Sequence, residues 1–431
     1  MMKRWKVKES SAGLAAILGD NLNILPLTAQ LLINRGLADC GRASAFLSPE
    51  LKDLHDPYLL KDMDRAVDRI VRALGDKEKI VVYGDYDVDG VTSSALLCLF
   101  FKELGCEPLS YIPQRQTEGY GLNAMAIKKL ASEGVSLIIT VDCGSGSADE
   151  TALARSLGVD VVITDHHEMP DGAFASAALV NPKQEGCAFP FKGLAGIGVA
   201  FNLVVALRSR LRRGNFFGGA DGQNATGGQH ATGPNLKKYL DLVCIGTIAD
   251  MVPLIDENRI FVSHGLRELN VASRPGIRAL IDVAGVKPGR IDADAVAFQF
   301  APRINAAGRL SEASAAFELL TTTDTHAAQR LARKLDSENK SRQKIEEKML
   351  CEALAMIGQH ATGGAGEVAK GLVLCSEKWH PGVIGIVASR LVERFGRPAV
   401  LIALENGIGR GSARSIRPFD MLEGLSACSS F

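Results

Sequence analysis

Three short apolar runs, each closing on ionisable residues, constrain this chain more than any other feature. Ile80-Val81-Val82-Tyr83-Gly84 opens into DYDVDG, with Asp85, Asp87 and Asp89; Leu137-Ile138-Ile139-Thr140-Val141 ends at Asp142; Val161-Val162-Ile163-Thr164 ends at Asp165-His166-His167. Continuous apolar runs of this length, separated by helical stretches, read as buried strands of a parallel sheet. In such sheets the ligand crevice lies beyond the carboxyl ends of the strands. The runs therefore deliver carboxylates and imidazoles to one edge, and the later segment CIGTIADMVPL adds Asp250.

Taken singly, these residues have a plain explanation. An Asp after a strand caps a helix or makes a turn, and one of two adjacent histidines can pack in a core. Taken together they do not. Three aspartates at alternate positions cannot all be caps, and so many negative charges within a few residues are costly without a cation. Carboxylates mixed with imidazole suit Mn²⁺ or Mg²⁺ better than a thiolate-seeking metal.

A length of 431 residues allows two or three domains, and 46% hydrophobic with 23% charged residues fits a soluble globular protein. Lys+Arg and Asp+Glu balance at 49 each, so net charge gives no sign of nucleic acid; acidic metal ligands can mask a basic groove elsewhere. Nine scattered Cys without a CxxC pair fit a reducing cytoplasm. The basic start MMKRWKVKES lacks a following apolar segment, so no signal peptide is expected. No stretch nears the roughly 18 apolar residues of a membrane span.

Residues 1–75 read as a helical lead-in, with helical periodicity through ELKDLHDPYLLKDMDRAVDRIVRALGD. Residues 76–325 read as an α/β domain with a doubly wound, mainly parallel sheet: strand and helix alternate over 79–182, and 193–213 form a largely buried helix. Residues 214–234 are a Gly-rich insertion containing GQNATGGQHATG, a short repeated unit that returns at 358–364 as GQHATGG. Such segments bury too little to offset ordering entropy, so His230 and His360 within them are poor ligand candidates. Residues 326–369 hold a long charged connecting helix and the second Gly-rich segment. Residues 370–431 begin a smaller α/β domain: strand GLVLCSE, helix GVIGIVASRLVERFG, strand PAVLIALE, a basic loop GIGRGSARSIRP and an amphipathic end.

DYDVDG at 85–90, VDCGSG at 141–146, the triplet Asp165-His166-His167 and Asp250 in GTIADMVPL resemble the motifs of the DHH phosphoesterase superfamily. IPQRQTEGYGL at 112–122, ENRIFVSHGL at 257–266, APRINAAGRL at 301–310, WHPGVIGIVASRL at 379–391 and GSARSI at 411–416 are similar to strings in its exonucleases specific for single-stranded DNA. The likeness runs from about residue 46 to the last, apart from the Gly-rich insertions.

The resemblance implies a DHH domain joined by a long helix to a DHHA1 domain. It implies 5′→3′ hydrolysis of single-stranded DNA to mononucleotides, in repair and recombination, with two divalent ions, Mn²⁺ or Mg²⁺. It makes Asp87, Asp89, Asp142, His166, His167 and Asp250 the metal ligands, with Asp142 and Asp250 bridging and Asp85 and Asp165 orienting them from behind. Water attacks in line, with no Lys or Ser nucleophile. Arg115, Arg303 and Arg309, expected on loops beside the metals, and Asn305 would contact nucleic acid, Arg suiting phosphate by its bidentate fork. Ser412 and Arg414 would hold the nucleic-acid end, helped by backbone amides near Gly409 and Gly411. His380 would meet substrate or cap a helix. The implied partners are single-stranded DNA, a single-strand-binding protein and a helicase; the implied state is a cytoplasmic monomer without membrane contact.

The superfamily's second domain normally continues into a GGHxxAAG motif, followed by an oligonucleotide-binding barrel. This chain stops at Phe431 before either, so a truncated form with an incomplete DHHA1 domain and slow, non-processive turnover is expected. Two rival activities share the DHH motifs. Phosphodiesterases of short oligonucleotides or cyclic dinucleotides lack the PRINAAGR and WHPGVIG strings. Non-catalytic DNA-binding DHH scaffolds lose metal ligands, and every ligand position is filled here.

Overall fold

The computed structural model describes residues 7–114, 118–169, 175–217, 233–310, 313–361 and 370–428. Arg115, His230, most of the first Gly-rich insertion, the end of the second and the His360 side chain lie outside them. The lead-in comprises α1 (Ala12–Leu22), α2 (Pro26–Asn34) and α3 (Cys40–Leu47), packed around Leu18, Ala29, Leu32 and Ala43. The helical periodicity expected from Glu50 onward yields a helix only at α4 (Met63–Gly75). Before it, Pro57 restricts Asp56 away from helical angles, and only two single-turn helices form, at Leu51–Asp53 and Pro57–Leu59. α4 buries Met63, Ala66, Val67, Ile70 and Ala73, a stripe at helical spacing.

The expected α/β alternation follows: β1 (Ile80–Gly84), α5 (Val88–Glu103), β2 (Leu109–Tyr111), α6 (Ala124–Ser132), β3 (Leu137–Val141), α7 (Ala148–Ser156), β4 (Asp160–Thr164), β5 (Ala178–Val180) and α8 (Gly196–Arg213). The strands lie in the order β2-β1-β3-β4-β5, all parallel. Residues of β1 alternate between two cores. Ile80 and Val82 pack with α4, α5 and α8, whereas Val81 and Tyr83 pack with α6 and α7. Both faces are covered, so the strands read as unbroken apolar runs rather than alternating ones. The chain leaves β1 toward β2 and then resumes on the other side with β3. The crevice of this doubly wound sheet therefore opens at the carboxyl ends of β1 and β3.

A helical layer follows: α9 (Leu240–Ala249), α10 (Asp256–Val271), α11 (Pro275–Ala284), α12 (Ala293–Ala295), a wide π turn at Val296–Phe300, α13 (Ala301–Leu310) and α14 (Ser314–Thr321). Pro302 cannot donate to the carbonyl of Phe298 four residues back, and the π turn falls where that bond is missing. Arg303 and Arg309, expected on loops, lie on α13 instead: tertiary packing keeps this helix going through its proline.

α15 (Thr325–Ala361) spans 37 residues and joins two cores. Its Ala328, Ala332 and Leu335 belong to the first; its Met349 and Ala353 belong to the second. The second core lies between α15, β6 (Leu372–Ser376), α16 (Ile384–Phe395) and β7 (Ala399–Glu405); β8 (Ile408–Arg414) and α17 (Met421–Ala427) follow, and α17 buries no residue. β6 and β7 are parallel, whereas β8 returns antiparallel to β7. The stretch expected to be a basic loop is thus a strand. Asn406 and Gly407, both with positive φ (50° and 78°), make the two-residue turn that right-twisted hairpins favour. Among the described residues no single helix is long and apolar enough to cross a membrane.

Candidate metal centre

The carboxyl ends of β1, β3 and β4 and the end of α9 converge on one point. After β1, Asp87 caps α5, its Oδ1 accepting the amides of Asp89 and Gly90 at 2.9 and 3.1 Å. One aspartate of DYDVDG is therefore a cap, and the cap occupies Oδ1 only. Asp89, in the first turn of α5, is buried; its carboxylate accepts the Gly196 and Ile197 amides at 2.6 and 2.8 Å. These amides open α8, where free N–H groups and the helix dipole favour an anion.

Asp142 follows β3 in a left-handed conformation (φ 60°) and lies beside α8. A Cβ at Gly196 would stand 2.6 Å from Asp142 Oδ1, so this approach requires glycine. His166 follows β4. Its Nε2 is 3.1 Å from Asp142 Oδ1, 3.6 Å from Asp250 Oδ2 and 3.9 Å from Asp89 Oδ2. Asp250 is the residue that caps the carboxyl end of α9.

Among the described residues, candidate ligand atoms within 4.8 Å of one another form three groups: Asp85, Asp87 and Asp142; Asp89, His166 and Asp250; and Asp142, His166 and His167. Asp85, expected behind the ligands, lies at ligand distance. Asp165 takes the orienting position. It accepts the Ser145 amide at 2.8 Å, the His166 amide at 2.7 Å and the His167 ring Nδ1–H at 2.7 Å. The last bond fixes the plane of the His167 ring, whose Nε2 lies 3.4 Å from the Tyr120 hydroxyl.

The electrostatics call for a cation. Burial, then the neighbouring carboxylates, push Asp89 and Asp142 well above the usual carboxylate range. Burial and then Asp87 raise Asp250 to about 7. Burial lowers His166 to about 4, so at neutral pH it is a neutral imidazole and its contact with Asp142 is no ion pair. Burial also works to raise Asp165, but the bonds from His167 and the amides outweigh it and hold it at about 2. Asp142 Oδ1, His166 Nε2 and Asp250 Oδ2 are buried without a hydrogen-bond partner. Such orphaned acceptors are rare in native interiors, and a bound cation satisfies them. Oxygen and imidazole donors fit Mn²⁺ or Mg²⁺.

A cleft of about 270 Å³ opens beside this centre, between the metal loop and the second domain. Tyr86 and Tyr120 form its near side, with Arg309 of α13 and Arg410, Ser412 and Arg414 of β8. Among the described residues three guanidinium groups line it and no carboxylate does. Residues 410, 412 and 414 share one face of β8 because side chains alternate along a strand. Read as a loop, the segment gave no reason to single out Arg410. Gly385 of α16 makes room, since a Cβ there would meet Ser412 Oγ at 2.9 Å and Arg414 at 3.0 Å.

Tyr120 also escaped the sequence reading. Its hydroxyl donates to the Asp142 carbonyl at 3.2 Å and lies 3.1 Å from His167 Nδ1. Its only local signal is a tyrosine flanked by Gly119 and Gly121.

Three expected nucleic-acid residues are engaged by the protein itself. Arg303 Nε pairs with Asp336 of α15 at 2.9 Å, both largely buried. Asn305 Oδ1 accepts the Val88 amide at 3.2 Å. His380 Nδ1 accepts the Gly382 amide at 3.1 Å, and its carbonyl accepts the Val383 and Ile384 amides ahead of α16, so it caps.

Residues 79–247 match the DHH family, N-terminal domain, and residues 368–430 match the DHHA1 domain. The single-stranded-DNA-specific exonuclease RecJ of Dickeya dadantii (strain 3937) is 40% identical over 411 residues, which are 94% of this chain and 70% of that protein. This chain belongs to the RecJ family. The RecJ of Bacillus subtilis (strain 168) is 42% identical over 427 residues, 99% of this chain; the chain spans about half (51%) of that relative's length. Among solved structures, exonuclease RecJ bound to manganese matches at a TM-score of 0.70 and 36% identity, covering 85% of each chain. RecJ of Thermus thermophilus in complex with Mn²⁺ matches at 0.79 and 32%, covering 97% of this chain and 56% of that one.

Proposed function

We propose that this chain is a divalent-metal-dependent 5′→3′ exonuclease that hydrolyses single-stranded DNA to mononucleotides in repair and recombination. One observation carries the reading: a carboxylate–imidazole cluster with orphaned acceptors abuts, through Tyr86 and Tyr120, a cleft lined by three arginines. A phosphodiester held by Arg309, Arg410 and Arg414 lies next to the cluster. The names of the RecJ relatives support the single-stranded substrate; the 5′→3′ polarity is what the motif resemblance implies, and no distance here encodes it.

Asp85, Asp87, Asp89, Asp142, His166, His167 and Asp250 are the residues that would hold Mn²⁺ or Mg²⁺. Asp142, in two of the three groups, is the shared carboxylate. When bound, paired divalent ions supply charge for the attacking and leaving oxygens of an in-line displacement. The rest is the chain's own work. Asp165 sets the ring of His167 and α8 holds the carboxylate of Asp89. The arginines neutralise and orient the strand, and the two tyrosines offer faces for bases, a sequence-tolerant contact. On this reading the chain acts in the cytoplasm as a monomer, with a single-strand-binding protein and a helicase as its proposed partners.

The test incubates the chain with Mn²⁺ and a long 5′-labelled single strand, a dinucleotide or a duplex. Mononucleotides should come from the single strand, and EDTA should stop their release. Cleavage of the dinucleotide alone would favour a small-substrate phosphodiesterase. Strand binding without cleavage would favour a non-catalytic scaffold.

A further inference from the structure

α13 touches three parts of the molecule at once. Arg303 pairs with Asp336 on α15 at 2.9 Å, and Arg309 reaches the Gly382 carbonyl of the second domain at 3.2 Å. Between them, Asn305 and Gly308 face the metal loop. Asn305 Oδ1 accepts the Val88 amide at 3.2 Å, and a Cβ on Gly308 would stand 2.4 Å from the Tyr86 carbonyl. α13 therefore lies against the backbone of DYDVDG and cannot carry any larger residue at 308 without moving.

The amides at the start of a helix have no acceptor within it. In α5, Asp87 serves the Asp89 and Gly90 amides through Oδ1, and Val91 bonds the Asp87 carbonyl. Val88 is the first residue of the helix, and its amide is served from 217 residues away, by Asn305. Because the partner is an N–H, the side-chain atom that faces it is the oxygen. That oxygen is therefore engaged by protein, and Asn305 completes the cap that Asp87 begins.

We propose that Asn305 is a positioning residue for the metal centre: by holding the Val88 amide it fixes the first turn of α5, and so the directions of the Asp87 and Asp89 carboxylates on either side. The inference rests on the reading of those two aspartates as metal ligands. A turn of helix behaves as a unit, so a displaced Val88 swings both neighbours together. Groups that orient metal ligands from behind typically change metal affinity by about 10- to 100-fold when removed.

The experiment compares Asn305→Ala and Asn305→Asp in the full chain. Alanine removes the acceptor but is a strong helix former at a half-buried helical site, so the variant folds. Aspartate keeps the shape and the acceptor. Mn²⁺ affinity is measured by calorimetry, and the unfolding temperature is measured without metal. Asn305→Ala should bind Mn²⁺ about tenfold or more weakly while unfolding near the wild-type temperature, and Asn305→Asp should recover most of the affinity. Wild-type affinity in Asn305→Ala overturns the inference. So does a loss that Asn305→Asp does not recover, or a loss matched by a large drop in metal-free stability, which marks a merely structural residue. A wild-type chain that binds no Mn²⁺ overturns the proposed function instead.

Discussion

A carboxylate inside a folded protein needs either hydrogen-bond donors or a cation, and these two needs divide the aspartates of this chain. Asp165 has donors on all sides and stays ionised despite burial. Asp142 is buried beside other carboxylates, and its Oδ1 has no donor. Asp142→Asn should therefore leave the metal-free protein as stable as wild type or more so, because it removes a buried like charge. It should also abolish metal-dependent hydrolysis and the rise in unfolding temperature that Mn²⁺ gives. Saturating binding at about 100 times Kd is worth about 2.7 kcal/mol of stability, an easily measured shift. A variant that kept the full Mn²⁺ shift would remove Asp142 from the ligand set. Asp165→Asn should act differently: it frees the His167 ring, so Mn²⁺ affinity should fall about 10- to 100-fold with some hydrolysis left at high metal. Unchanged affinity by titration would show that Asp165 orients nothing.

At the scale of elements, the centre is built where helices meet strand tips with no room to spare. The Cβ that Gly196 lacks would lie 2.6 Å from the Asp142 carboxylate, whereas the one Gly276 lacks would lie 1.9 Å from the Leu319 backbone carbonyl. A side-chain end can yield and a packed backbone cannot. Gly196→Ala meets Asp142 at Oδ1, Cβ and Cγ, all within 2.9 Å, so it should displace that side chain and bind Mn²⁺ more weakly. Gly276→Ala should separate α11 from α14 and lose about 1–3 kcal/mol of stability with Mn²⁺ affinity untouched. Thermal unfolding of each variant, with and without Mn²⁺, tells the two apart. The reverse pattern would mean that the approach of α8 to β3 does not shape the centre. The Arg303–Asp336 pair belongs to this scale too, joining α13 to α15 rather than meeting a strand of DNA.

Across the whole molecule the charges balance, yet they are sorted: carboxylates gather at the sheet edge and guanidinium groups on the facing wall of the cleft. α15 holds both walls by packing into each core. Binding of single-stranded DNA should be blind to sequence and weaken with salt as counterions are released. Arg410→Ala should weaken binding evenly across sequences and flatten the slope of log affinity against log salt by about one. Arg414→Ala should do the same, and Arg303→Ala should leave the slope alone. Equal slopes for all three variants, measured on homopolymers of one length, would mean that β8 does not face the strand.

The apolar runs and the residues at their tips were legible because burial on both faces of a parallel sheet is written locally, in each strand's own side chains. Sheet type and the common edge of Asp85, Asp87, Asp89, Asp142, His166 and His167 followed from that alone. The strand character of 408–414 was also legible, in Asn406-Gly407, although the glycines and charges nearby suggest a loop. Tertiary structure decided the rest. Nothing local distinguishes Arg309, which lines the cleft, from Arg303, six residues earlier on the same helix and tied to α15. Asn305 meets Val88 across 217 residues of chain, and no periodicity encodes a partner that distant. Which aspartate is capped, which is held by a helix start and which is left to a cation depends on the elements that arrive beside it, and only packing brings them there.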